Sequence, residues 1–215
     1  MKRIVGLIVI ASLLVVSGCN CTGNESEKKT MPSFSLAPGF SSMDHAHVVF
    51  VNVGNALSDD DFVQSVTAIQ KVMPIYVTGM TASQGITAAD IAASWKNLKP
   101  LLGDKAVLVV FFANSESDPS YMTQPRHWAY VNLWETKSGT ADASVLEKRL
   151  AKQSMKGLGL AAGLGGNPES RCVMYFNSFS ADGIDATSAS YGPYAYFPLQ
   201  ETLKNLSEGD IFKTE

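Results

Sequence analysis

Hydrophobic positions change their period several times along the chain, and each change marks a boundary. An unbroken apolar run from Ile4 to Val16 follows Met1-Lys2-Arg3 and gives way to Ser17-Gly18-Cys19. Residues 19–40 then show no hydrophobic period, being rich in Gly, Ser, Asn, Glu and Lys, and read as a flexible tether. Everything after it, residues 41–215, reads as one folded domain.

Within that domain Ala46 to Val53 is a β-branched, apolar run closed by Gly54-Asn55, the pattern of a buried strand. Ser58 and the acids Asp59, Asp60 and Asp61 open a helix in which Phe62, Val66, Ile69 and Met73 recur at helical spacing before Pro74. Ile75 to Thr78 is a second strand. Thr87 caps a second helix through Ile91, Trp95 and Leu98 to Pro100. Lys105 to Ala113 is apolar almost throughout and reads as a central strand covered on both faces. A Ser-, Asp- and Pro-rich loop follows from Ser115 to Pro125, then a strand from Trp128 to Trp134 suited to the sheet edge. Asp142 or Ser144 caps a long helix from about Val145 to Leu158. Gly157, Gly159, Gly163, Gly165 and Gly166 read as its end. The remainder is Tyr-, Phe-, Gly- and Ser-rich and closes with a short helix from Pro198 to Leu206.

Strand and helix alternate over the first half, which predicts an α/β (α+β) fold. The sheet should be mixed and twisted, with two or three packing helices and an irregular C-terminal subdomain. A doubly wound sheet would need a further βαβ unit after the third strand, and none follows.

Composition narrows the function. The 215 residues carry 17 basic and 20 acidic side chains, a net charge of −3, so no clustered positive charge is available for nucleic acid. Three cysteines make no disulfide framework. A basic start, a short apolar run of about 13 residues and small residues before a cleavage point form a secretory signal, too short for the roughly 20 residues of a spanning helix. Val16-Ser17-Gly18-Cys19 also resembles the bacterial lipobox, in which the Cys receives acyl chains of the palmitate kind and becomes the new N-terminus. That resemblance implies lipid on Cys19, membrane anchoring and a place in the bacterial cell envelope, periplasmic or surface-exposed. Lys2 and Arg3 leave with residues 1–18, so 15 basic and 20 acidic side chains remain. Cys21 and Cys172 are then the remaining thiols, with a bridge between them open.

A mixed sheet, one long helix and an irregular remainder resemble the metzincin zinc peptidases. Their signature is H-E-x-x-H-x-x-G-x-x-H, followed by a turn containing Met beneath the metal. In that signature two His on one helix face bind Zn²⁺, a Glu acts as general base, and Gly turns the chain so that a third His reaches the ion. Set against it, this chain has Lys152, Lys156 and Ala162 at the ligand positions, Gln153 at the base and Gly159 at the turn. Arg171-Cys172-Val173-Met174-Tyr175 resembles the Met-turn of the archaemetzincin branch, with Met174 under the site. The strand from Tyr130 to Trp134 falls where that family has the edge strand over its peptide cleft. The cysteines that bind a second zinc in archaemetzincins are absent, and the interval from Ala162 to Cys172 is longer.

The chemistry of those replacements points away from hydrolysis. An ammonium has no lone pair until it deprotonates near pH ~10.4, Gln takes no proton from water at neutral pH, and Ala offers no donor. The resemblance thus implies a degenerate zinc site without catalytic residues or cofactor. Lys152 and Lys156 read as a solvated basic face continuing Lys148 and Arg149, or as a seat for an acidic group. The function expected is a binding or interaction module taking a peptide or protein in the old cleft. Two alternatives stay open: an active metallopeptidase whose metal site is drawn from Asp44, His45, His47 and His127, and a small α/β solute-binding lipoprotein. Gly157-Leu158-Gly159-Leu160-Ala161-Ala162 matches a dinucleotide fingerprint in letters only, because it ends a helix instead of opening one. Cys172 reads as a buried thiol, and Tyr191, Tyr194, Tyr196 and Phe197 as a groove lining or as packing.

Overall fold

The computed structural model describes residues 31–139, 142–176 and 179–213, and the folded unit begins at Pro32. Cys19, Cys21 and the leader read from the sequence lie outside the described residues. Strands are β1 (Phe34–Leu36), β2 (His47–Val53), β3 (Val77–Ala82), β4 (Ala106–Ala113), β5 (Tyr121–Gln124) and β6 (Trp128–Asn132). Helices are α1 (Asp59–Thr67), α2 (Ala88–Leu98), α3 (Trp134–Lys137), α4 (Ala143–Ala162), α5 (Ala181–Ala186) and α6 (Pro193–Leu206). No helix among the described residues is long and apolar enough to cross a membrane.

The strands form one mixed sheet in the order β1-β3-β2-β4-β6-β5. Parallel pairing joins β3, β2, β4 and β6, while β1 and β5 run antiparallel at the two edges. Period-two alternation then builds two cores, because successive side chains of a strand face opposite ways. Val48, Phe50, Leu108, Val110 and Phe112 pack on one side with residues of α1, α4 and α6. Val49, Val51, Val109, Phe111 and Tyr130 pack on the other with Ile91 and Leu98 of α2. Local signals start the helices where expected. The Ser58 side chain accepts from the Asp61 amide, and Thr87 and Asp90 form a reciprocal capping box at α2.

Several boundaries differ from the sequence reading. Strand β1 lies inside the stretch 19–40 read as tether, and its three residues pair with Ala82, Thr81 and Met80 of β3. Three residues carry no period, so only the neighbour's open edge makes them a strand. The expected edge strand, β6, is instead interior. The antiparallel edge is β5, formed from Tyr-Met-Thr-Gln within the predicted loop. Helix α6 begins at Pro193, not Pro198, with Pro193 in the first turn where its missing N–H is harmless.

The largest difference lies in α4. It runs through Gly157 and Gly159 and stops only at Gly163, whose φ of 90° is left-handed. Leu164 N–H donates to the Gly159 carbonyl and Gly163 N–H to that of Leu160, the paired closure of a Schellman end. Gly157 is a close approach, not a breaker: a Cβ there would sit 2.6 Å from Cγ1 of Val110 on β4. Each helical glycine costs up to ~1 kcal/mol against Ala, and here that is offset by seating the helix on the sheet.

Candidate functional site

The positions read as a degenerate zinc site all lie on α4, but they do not share one environment. Lys152 turns toward α5, donating to the carbonyls of Ile184 at 2.9 Å and Asp185 at 3.3 Å. Partial burial lowers its pKa, with Asp185 acting the other way. Gln153 is buried. Gly159 faces Met174, whose sulfur and methyl fill the space that a Cβ at 159 would need. Ala162 is buried on the last helical turn.

Lys156 is the centre of the arrangement. It is 3% exposed, donates from Nζ to the Tyr175 carbonyl oxygen at 2.9 Å, and holds Nζ 3.7 Å from the centroid of the Phe179 ring. Phe179 stacks on Tyr121 of β5, with centroids 4.5 Å apart and planes 14° from parallel. One ammonium thereby connects α4, the turn after Met174 and the edge strand. Burial pushes its pKa down to about 8, with Cys172 opposing the shift, so the charged form prevails at neutral pH.

The turn beneath is fixed by its own backbone. Tyr175 N–H donates to the Cys172 carbonyl at 2.9 Å, and Asn167 N–H donates to that of Met174 at 2.8 Å. Cys172 is a free, fully buried thiol whose sulfur accepts from the amides of Met174 and Gly192. The Tyr191 hydroxyl donates to the Met155 carbonyl, and complete burial holds its pKa well above that of a free phenol.

The reading of Lys152 and Lys156 as a solvated basic face continuing Arg149 is overturned. Arg149 is buried, with Nε and Nη2 on the two Asp185 oxygens at 2.9 and 2.6 Å, and Nη1 on the carbonyls of Thr136 and Ser138. This bidentate pair ties α4 to α5 and to the end of α3. The signal was present in the sequence: Arg149, Gln153 and Lys156 stand at i, i+4 and i+7, the spacing of one helix face, and all three are buried.

These donors do not fit zinc. An ammonium already engaged with a carbonyl offers no lone pair, Ala162 has no donor, and Lys152 is committed to α5. The backbone adds a second obstacle. At about 100° per residue, positions 152 and 156 lie roughly 40° apart around the axis, but position 162 lies roughly 120° from 156 while the helix continues. Gly159 therefore does not supply the turn that the resemblance implied.

Nor do the histidines assemble a site. His47 is buried at the start of β2, its Nδ1–H donating to the His45 carbonyl, and burial lowers its pKa. His45 stacks on Tyr76 and lies 3.6 Å from the Asp210 carboxylate, whereas His127 lies beside Trp95. Among the described residues no group of three or more His, Cys, Asp or Glu side chains could hold a metal ion. Tyr194 and Phe197 are exposed on α6, while Tyr191 is buried against α4.

A mixed sheet with an antiparallel edge strand, one long helix across its face and a Met turn under that helix define a metzincin-like fold. The solved structures it resembles are more particular. Archaemetzincin from Methanopyrus kandleri superposes with a TM-score of 0.60 at 18% identity, over 74% of this chain and 96% of that one. Archaemetzincin from Archaeoglobus fulgidus, complexed with malonate, gives 0.53 at 13%, over 71% and 99%. A zinc-dependent peptidase from Methanocorpusculum labreanum strain Z gives 0.56 at 14%, over 70% and 99%. No family model and no curated protein sequence matches the chain. The likeness establishes an archaemetzincin-like fold.

Proposed function

We propose that the chain is a lipid-anchored envelope protein whose archaemetzincin-like domain binds extended polypeptide and does not hydrolyse it. Lipid on Cys19 follows from the lipobox-like residues 16–19, with the membrane as one partner. The observation that carries the loss of catalysis is the Lys156 ammonium, held on the Tyr175 carbonyl and the Phe179 ring where the resemblance calls for a second zinc ligand.

The polypeptide reading rests on β5. Its outer edge is the antiparallel margin of the sheet, and Tyr121 and Met122 are 41% and 36% exposed. An extended segment added there gains main-chain hydrogen bonds, while alternate side chains supply selectivity. The test is elemental analysis of the mature chain after equilibration with Zn²⁺ and desalting, followed by a peptidase assay. Less than about 0.1 equivalent of zinc and no cleavage is the expected result. About one equivalent with turnover of a peptide would overturn the reading.

A further inference from the structure

A crevice opens at the carboxyl ends of the strands, on the side of the sheet opposite α4. Strand β2 stands between β3 and β4: the chain leaves it through α1 to reach β3 on one side, then returns through α2 to β4 on the other. Neighbouring connections thus diverge at the carboxyl ends of β2 and β4. Open α/β sheets leave a crevice at such a switch point, and ligands bind there. In this protein the crevice is a cavity of about 280 Å³ with walls from Val53, Gly85, Ile86, Ala113, Asp118 and Tyr130.

The rim of this cavity is held more firmly than a connecting loop requires. Asn52, 1% exposed at the end of β2, donates to the Leu57 carbonyl at 2.9 Å and accepts from its amide at 3.0 Å. Asn132, 7% exposed at the end of β6, accepts from Ser115 N–H and donates to the carbonyls of Ser115 and Asp118. The Tyr130 hydroxyl donates to the Asp118 carboxylate from beneath. Two buried amides and a buried phenol therefore preset the loops on either side of the opening. Such presetting lowers the ordering cost of binding.

The lining selects the ligand. Asp118 is its one charged side chain, and no Lys, Arg or His takes part. The amino end of α2 also borders the cavity, but its capping box already places the Asp90 carboxylate on the Thr87 amide, which disfavours an anion there. Burial and Asp118 raise the Tyr130 pKa, so the phenol stays a donor to Asp118 throughout the physiological range. We propose that this crevice binds a small organic ammonium compound, its charge on Asp118 and its apolar part against Val53, Ile86 and Ala113.

The test is a two-dimensional amide NMR titration of the mature chain with choline chloride, using sodium acetate and glycerol as anionic and uncharged controls. Choline should shift the amides of Gly85, Asn114 and Ser115 saturably, and the controls should not. Asp118→Asn should weaken choline by about tenfold or more, the scale expected of a close ion pair outside bulk water. Gly85→Leu gives a second variant that leaves the backbone unstrained, since a Cβ at Gly85 meets nothing within 4 Å. It should fill the opening and abolish binding with the fold intact. The proposal is overturned if choline produces no saturable shift, if glycerol or acetate competes equally, or if choline binding survives Gly85→Leu. It stands apart from the zinc question, because neither outcome at α4 changes this cavity.

Discussion

Lys156 and Phe179 form a cation–π pair with Nζ 3.7 Å from the ring centroid, and Phe179 lies flat against Tyr121 of the edge strand. An ammonium so placed is a poor source of stability, because taking a charge out of water costs several kcal/mol that its partners in the fold must first offset. Retention of the charge is better explained by arrangement than by energy: it fixes the turn after Met174 against β5.

The pH dependence of that cost has a definite sign. The folded pKa of about 8 lies below the ordinary Lys value, so the unfolded chain binds the extra proton between pH 8 and about 10.4. Stability from this group should therefore rise across that window, by up to ~3 kcal/mol. Denaturant unfolding at pH 7, 8, 9 and 10 should show the rise in the wild type and its loss in Lys156→Met. Parallel curves for the two proteins would refute the burial of a charged Lys156.

Gly159→Ala should destabilise by about 1–3 kcal/mol, because the new methyl meets the sulfur and methyl of Met174. Met174→Ala in the same chain should recover part of the loss by vacating that space. Additive losses in the double variant would mean that the two residues are not in contact.

Arg149→Met should cost more than Asp185→Asn, since the guanidinium is buried and the carbonyls of Thr136 and Ser138 also depend on it, whereas Asp185 is partly exposed. Removing one partner of a buried pair costs about 3–5 kcal/mol, and the open side of Asp185 places this pair at or below the lower end. Arg149 also holds the Asp185 carboxyl below its ordinary pKa. That contribution is present above about pH 4 and lost as pH falls through the lowered value. Acid unfolding of Asp185→Asn should accordingly be shallower below pH ~4 than that of the wild type.

Installing the metzincin donors, Lys152→His, Gln153→Glu, Lys156→His and Ala162→His together, should not produce a tight stoichiometric zinc centre. Two imidazoles would share a face, but the third would project about a third of a turn away while α4 continues past Gly159. Calorimetric titration with Zn²⁺ should show weak binding. A sub-micromolar site of unit stoichiometry would show that α4 ends at Gly159 instead.

The sequence by itself determined the alternation of strands and helices, the caps at Ser58 and Thr87, a choice of Asp142 or Ser144 at the start of α4, and the presence of Lys, Gln and Ala at the positions that the metzincin resemblance reads as a zinc site. These are legible because each is a local pattern: a period, a capping side chain, a chemistry carried by one residue. Tertiary structure decided whether Gly157 and Gly159 end the helix or seat it on the sheet, since a glycine has the same letter in both roles and only the neighbour, Val110 or Met174, distinguishes them. It also decided that Phe34–Leu36 and Tyr121–Gln124 are strands, because segments so short gain their hydrogen bonds from an edge laid down elsewhere in the chain. The same reason governs Lys156, Arg149 and the crevice between β2 and β4. Their partners are distant in sequence, so the spacing along α4 marks which residues share a face but not what that face meets.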